Sequence, residues 1–205
     1  MPKMLDDKAA ADLRERLEDV DQNEESYNRY CQLQGESLLP LVSFKLVSEH
    51  HELKMVRNPD EGIEVQIYLL DHDRKAVLYY NHIEKVDFSI KQHTDQPVRQ
   101  VMIWRENRIN GGNDTHGLVE SVFFDFLIGQ YSIAVSDSEQ TRDGRRMWEK
   151  LISMAIEKGM EAGRMDKDNY EYHSIPDIRE LTKTSKWLWG DQDVHKNRLA
   201  VIMKL

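Results

Sequence analysis

Residues Gly117 to Gly159 carry the densest apolar pattern in the chain, and that pattern leaves few folds open. Val119, Val122, Phe123, Phe126 and Leu127 recur at helical spacing and make one stripe. Asp114 or Thr115 is the expected N-cap, because a short side-chain oxygen accepts from the first free backbone N–H groups. Gly129 is the expected stop. Tyr131 to Val135 is a nearly continuous apolar run, as in a strand covered on both faces. Ser136 and Asp137 end it. A second helix is predicted from about Gln140 or Thr141, with Met147, Leu151, Met154, Ala155 and Ile156 on its inner side and Trp148 beside them. Gly159 is its expected C-cap. A strand held so closely between two helices points to an α/β layer and away from a helix bundle.

The flanking sequence adds strands on one side and helices at the start. Leu5, Ala9, Leu13, Leu17 and Val20 lie three or four apart, predicting a helix over 5–24 whose narrow stripe can pack on the body of the protein or on a partner. A solvated break is expected at 21–26 and a second helix over Tyr27–Gln34, ended by Gly35. Residues 1–35 therefore read as a charged helical extension, and 36–205 as the α/β domain. In SLLPLVSFKLV, Pro40 argues for an entry loop before a strand over Leu41–Val47. Further strands are expected at Leu53–Val56, Ile63–Leu70, Ala76–Tyr80, Glu84–Ile90 and Val98–Arg105. NPDEG and DHDRK are read as turns. The loop ENRINGGNDTHG then leads into the central unit. Beyond Gly159, EAGRMDKDN reads as a loop and Tyr170–Ile175 as a strand. A short helix follows from Pro176. Trp187 and Trp189 are expected to divide between an inward and an outward position, the outward one an interface anchor. Leu199–Leu205 closes the chain as a strand.

Composition narrows the functional classes. With 40% apolar and 32% charged residues among 205, the chain is expected to fold as a soluble protein. No apolar run is long enough to span a bilayer, and the charged start lacks the apolar core of a secretory signal, so a cytoplasmic location is expected. The lone cysteine, Cys31, cannot form an internal disulfide. A formal charge of −9 argues against a non-specific nucleic-acid binder, and RDGRR at 142–146 reads as a solvated helix start. His50-His51 and Asp71-His72-Asp73 are the nearest approaches to metal clusters. Neither has a helical His-x-x-x-His face or a cysteine partner, so no metal is expected. There is no Walker loop, dinucleotide fingerprint or G-x-S-x-G.

The order of elements, from helix through antiparallel strands, glycine-bearing loop, helix, strand and helix to final strands, resembles the GNAT N-acetyltransferase fold. The resemblance implies a mixed, mainly antiparallel sheet flanked by helices. In that family a Q/R-x-x-G-x-G/A loop opens a helix whose N-terminal amides hold the pyrophosphate of acetyl-CoA, since free N–H groups bind anions and glycines let phosphate approach the backbone. Aligned on the helix start, the last glycine is Gly117, the middle one falls on Thr115 and the Q/R on Gly112. An earlier register runs from Arg108 to Asn113 and keeps Arg108 and Gly111. Ser136-Asp137, Gln140-Thr141, Gly144 and Trp148 resemble the S-D-x-x-Q-T-x-x-G-x-x-h-W pattern of GNAT-like bacteriophage proteins. Capping and turn chemistry also account for these residue types.

The resemblance implies a base among Glu64, Asp71 and Asp137, and an acid, Tyr131 or Tyr170, for the leaving thiolate. Each is also plainly read as a surface carboxylate or a half-buried tyrosine. Two functions follow as expectations. One is a phage-type accessory or virion protein, in the host cytoplasm or the particle. It would have no cofactor and would act by binding a protein or by self-association through the N-terminal helix. The other is an acyl-CoA-dependent N-acetyltransferase in which Gly111, Gly112 and Gly117 cradle the phosphates of acetyl-CoA.

Overall fold

The structure is a computed structural model. It describes residues 7–60, 62–86, 90, 94–106, 114–136, 142–169, 171–189 and 198–204. It is mixed α/β with a mainly antiparallel sheet, and the chain divides into two compact units. The first comprises Met1–Asp87 and Val101–Leu127, the second Phe88–Gln100 and Ile128–Leu205. Among the described residues, no helix is long and apolar enough to cross a membrane.

The first unit begins with α1 (Asp7–Glu18) and α2 (Val20–Gln32). The break between them comes earlier than the expected one at 21–26. It sits at Asp19, which is extended and whose carboxylate accepts from the Gln22 N–H at 3.0 Å. An aspartate that can satisfy a free helix amide starts a new helix there. Residues 21–26 are consequently helical, and Asn23 and Ser26 are buried. At the other end of α2, the buried Lys54 donates to the carbonyls of Tyr30 and Cys31 at 3.3 and 3.2 Å, a cation placed on a helix C-terminus.

These helices cover one face of an antiparallel run of β1 (Glu36–Ser37), β2 (His51–Asp60), β3 (Ile63–Asp71) and β4 (Ala76–Lys85), with β5 (Val98–Arg105) beside β4. Leu17 and Tyr30 meet Val56, Tyr68, Leu70, Val77, Tyr80 and Trp104 in one apolar cluster, with Leu13 and Cys31 packed against it. The Tyr30 ring stacks on Tyr68 at 4.3 Å between centroids. Burial therefore does not alternate along β3 as the Ile63/Glu64 pattern suggests, because from Val65 onward both faces are covered. β4 runs unbroken to Lys85, past the expected end at Tyr80, and it includes Glu84, the residue at which a separate strand was expected. Where the β3–β4 register shifts at Leu69/Leu70, Leu78 is passed over and Val77 stands opposite Leu70; both backbone groups of Val77 are bonded from α2. The Asn23 side chain takes both, donating to Val77 O at 3.1 Å and accepting from Val77 N at 2.7 Å.

The segment Leu41–Val47 forms no strand. After a 3₁₀ turn at Leu39–Leu41 it runs on irregularly with no strand partner, and Leu41 and Val47 are 47% and 60% exposed. It is fastened to the helix that follows β5. Ser43 N and Oγ donate to Asp125 Oδ2 at 2.7 and 2.6 Å, and Phe44 N donates to Ser121 Oγ at 2.9 Å. Side-chain acceptors replace the strand partner expected from the apolar, β-branched sequence.

In the second unit β5 pairs in parallel with β6 (Ser132–Ser136), Val98–Gln100 against Ser132–Ala134. β6 pairs antiparallel with β9 (Arg198–Met203), β9 with β7 (Glu161–Asp166), and β7 with β8 (Glu171–Ser174). α5 (Arg142–Glu157) ends as expected at Gly159, whose φ is +74°. β7 occupies residues expected to be a loop. Its polar side chains obscured it, and two flanking strands satisfy its backbone on both edges. A Cβ at Gly163 would run into the far end of the Tyr172 ring of β8, so a larger residue there must displace the ring or the strand. α6 (Ile178–Trp189) continues through the tryptophans. Trp187 and Trp189 are thus both half-buried around a buried Leu188, and Trp187 lies under the guanidinium groups of Arg164 and Arg198 at 5.0 and 4.8 Å.

Candidate functional site

The helix after β5 is the element to which the sequence assigns the cofactor. It starts as α3 (Leu118–Ser121), widens to a π-helix over Val122–Leu127 and closes as α4 (Ile128–Gln130). Its stripe, Leu118, Val119, Val122, Phe123, Phe126 and Leu127, is buried. Gly129 lies inside the helix and does not stop it. The cap is neither Asp114 nor Thr115: it is Gly117, at φ +76° with no side-chain cap bond. A left-handed φ suits glycine because it has no Cβ to clash with the backbone. Leu118 N is already bonded to Thr115 O at 3.1 Å. Thr115 is 1% exposed, and its Oγ1 has no partner among the described residues. Gly111 and Gly112 lie outside the described residues, as does the whole earlier register from Arg108 to Asn113.

Just before this start, Asp114 enters a charged cluster built from four elements of the first unit. Asp71 ends β3, and its Oδ1 accepts from the N–H groups of Asp73 and Arg74, each at 3.0 Å, which closes the DHDRK turn. Asp71 Oδ2 accepts from Arg74 Nε. The same guanidinium donates to Asp114 Oδ2 at 2.8 Å and stands 3.8 Å from Glu106 Oε2, just beyond β5. His51, at the start of β2, places Nε2 3.4 Å from Asp71 Oδ2. The side chains of His51 and Asp71 are 4% and 6% exposed, those of Glu106 and Asp114 16% and 17%. Burial disfavours the charge on Asp71, but hydrogen bonds and the positive charge of Arg74 outweigh it and hold the carboxyl below its ordinary pKa. Burial opposes the Arg74 charge too, and the bond to Asp71 reverses that effect, so its pKa is raised. His50 and His72 lie at the more exposed rim, 3.5 Å from Asp73 and 3.3 Å from Glu52.

The other sequence candidates are scattered. Glu64 is half-exposed near the start of β3, in the first unit. Tyr131 is buried before β6 in the second unit, with the Arg99 guanidinium 5.4 Å from its ring. Asp137 and Tyr170 lie outside the described residues.

A polar series in the first unit has no counterpart in the sequence reading. On adjacent strands, Tyr68 donates to Gln66, Gln66 donates to Tyr80 OH at 3.0 Å, Tyr80 OH meets His82 Nδ1 at 3.0 Å, and His82 Nε2 lies 3.3 Å from Glu84. Burial lowers the His82 pKa from 6.5 to about 4, so the ring is neutral near pH 7. The available signal was the two-residue spacing of Tyr80, His82 and Glu84, which puts all three on one face once β4 extends to Lys85.

The fold thus defines a mixed α/β protein with a mainly antiparallel sheet. Set against protein-family models, curated proteins and solved structures, the chain matches none of them.

Proposed function

We propose that this chain is a GNAT-like protein of phage type that binds another protein and transfers no acyl group. The fold part of this reading draws on β5 and β6, parallel neighbours joined through the helix that Gly117 opens. The phage-type part rests on the pattern from Ser136 to Trp148. The single observation behind the functional part is the setting of that helix start. Where the family keeps a glycine, this chain has the buried, β-branched Thr115, so a phosphate meets a side chain in place of bare backbone. The preceding residue is an aspartate, and the nearby cation, Arg74, is already shared by Asp71 and Asp114. Carboxylates beside a helix N-terminus take the favourable charge position that a pyrophosphate needs.

The surface we assign to protein binding is the segment Leu41–Val47. It exposes Leu41, Lys45 and Val47, while Ser43 and the half-buried Phe44 are fastened to Asp125 and Ser121. Exposed apolar residues held in a fixed backbone lose little entropy on binding. The second reading, an acetyl-CoA-dependent N-acetyltransferase, draws on Gly117, where a Cβ would meet nothing within 4 Å and a ligand has room.

One measurement separates the two. Any ligand of the native state raises the melting temperature by linkage. Millimolar acetyl-CoA is expected to leave the melting curve of the full chain unchanged. A saturable rise that a Gly117→Val substitution abolishes establishes the transferase reading and removes ours.

A further inference from the structure

We infer that His51, Asp71 and Asp114 form a binding site for a divalent transition-metal ion of the zinc class. Considered alone, neither His50-His51 nor Asp71-His72-Asp73 has metal-ligand spacing. The fold places His51 against Asp71 and brings Asp114 in from the start of the α3 helix. One ligand atom from each of the three residues lies within 4.8 Å of the other two.

Three features take this beyond an acidic cluster. The first is distance. His51 Nε2 and Asp71 Oδ2 are 3.4 Å apart, long for an N–H···O bond. Adjacent corners of a tetrahedral site with bonds of 2.0–2.1 Å lie about 3.3–3.4 Å apart. The second is the histidine. Its side chain is 4% exposed and turns Nε2 to the carboxylates, and Nδ1 has no hydrogen-bond partner among the described residues. Imidazole Nε2 is a common ligand atom for ions of the zinc class. The third is charge. Among the described residues, Asp71, Asp114 and Glu106 share the guanidinium of Arg74. Within that described set two negative charges are in excess in a largely buried setting, and a divalent cation neutralises such an excess.

Arg74 need not leave. Its bonds to Asp71 and Asp114 hold the two carboxylates side by side, and each carboxylate keeps lone pairs for a metal. One imidazole and two carboxylates suit zinc, cobalt or manganese better than magnesium. Three protein ligands leave a fourth position for water. Glu106 Oε2, buried and without a hydrogen-bond partner among the described residues, is the acceptor nearby for that water.

The test uses the full chain stripped with EDTA, then titrated with zinc or cobalt sulfate by calorimetry and by thermal melting. One site of micromolar or tighter affinity is expected, with a raised melting temperature and the visible absorption of four-coordinate cobalt. His51→Ala and Asp114→Asn are each expected to weaken binding about tenfold or more, and His173→Ala in the second unit to leave it unchanged. Should His51→Ala fail to fold, Asp114→Asn decides, since that side chain is partly exposed. The inference is overturned if neither zinc nor cobalt binds saturably up to millimolar concentration, which leaves Arg74 as an ion-pair clamp only. It is equally overturned if binding survives the substitutions at His51 and Asp114, which moves it to the exposed histidines.

Discussion

Replacing Asn23 by alanine tests how the N-terminal helices are held on the sheet. Asn23 is 8% exposed and makes three hydrogen bonds. Its Nδ2 donates to Leu17 O at 2.7 Å and to Val77 O at 3.1 Å, and its Oδ1 accepts from Val77 N at 2.7 Å. Alanine leaves those three backbone groups without their side-chain partner. A buried polar group stripped of its partner costs about 1–3 kcal/mol. Water reaching the site would recover part of this, so the low end applies and the expected loss is about 3 kcal/mol. For a chain of this length that corresponds to a melting temperature lower by roughly 6–12 °C. Urea denaturation followed by circular dichroism measures the loss, and hydrogen exchange at the Val77 amide locates it. Asn23→Asp is the control: it keeps the acceptor for Val77 N but turns carboxylate lone pairs toward two carbonyls, and it should be at least as damaging. A loss under about 1 kcal/mol, with the Val77 amide still protected, refutes the assignment of this contact as what docks α2.

Two further perturbations follow from the packing. His82 is neutral in the fold because burial lowers its pKa to about 4 from 6.5. As pH falls the unfolded chain therefore takes the proton first, and stability that is complete above pH 6.5 is lost down to about pH 4, by roughly 3 kcal/mol at most. Urea midpoints across that range should fall more steeply for the wild type than for His82→Gln, and equal slopes would remove His82 from the account. In the second unit, Gly163→Val sets a side chain against the Tyr172 ring and is expected to part β7 from β8 and lower the melting temperature. A melting temperature within a degree of wild type would show that Tyr172 can move aside at little cost.

Much of the fold is legible because it is written in local periodicity. The α3 stripe, the run Tyr131–Val135, the α5 helix with Gly159 at its end and the strand β3 all announce themselves within a few turns or pleats of chain. The errors share one cause. Leu41–Val47 has strand composition, yet its backbone partners are the side chains of Ser121 and Asp125, far along the chain. β7 has loop composition, yet strands on both edges pair with it. For Leu41–Val47, and for the β9 edge of β7, hydrogen bonding between distant residues overrode local preference, and no short window of sequence contains that information.

The candidate site divides the same way. The chain alone determined which residue types were available: a glycine free to take a left-handed φ before the α3 stripe, a turn rich in aspartate and histidine, and a histidine pair at the mouth of a strand. Their meeting was decided only by the tertiary structure. The β2–β3 register brought His51 to Asp71, and the return of the chain after β5 brought Asp114 to Arg74. The physical reason is that charge and coordination depend on distances of a few ångströms. Those distances are set by which strands pair and where the helix begins, and side-chain identity alone does not supply them.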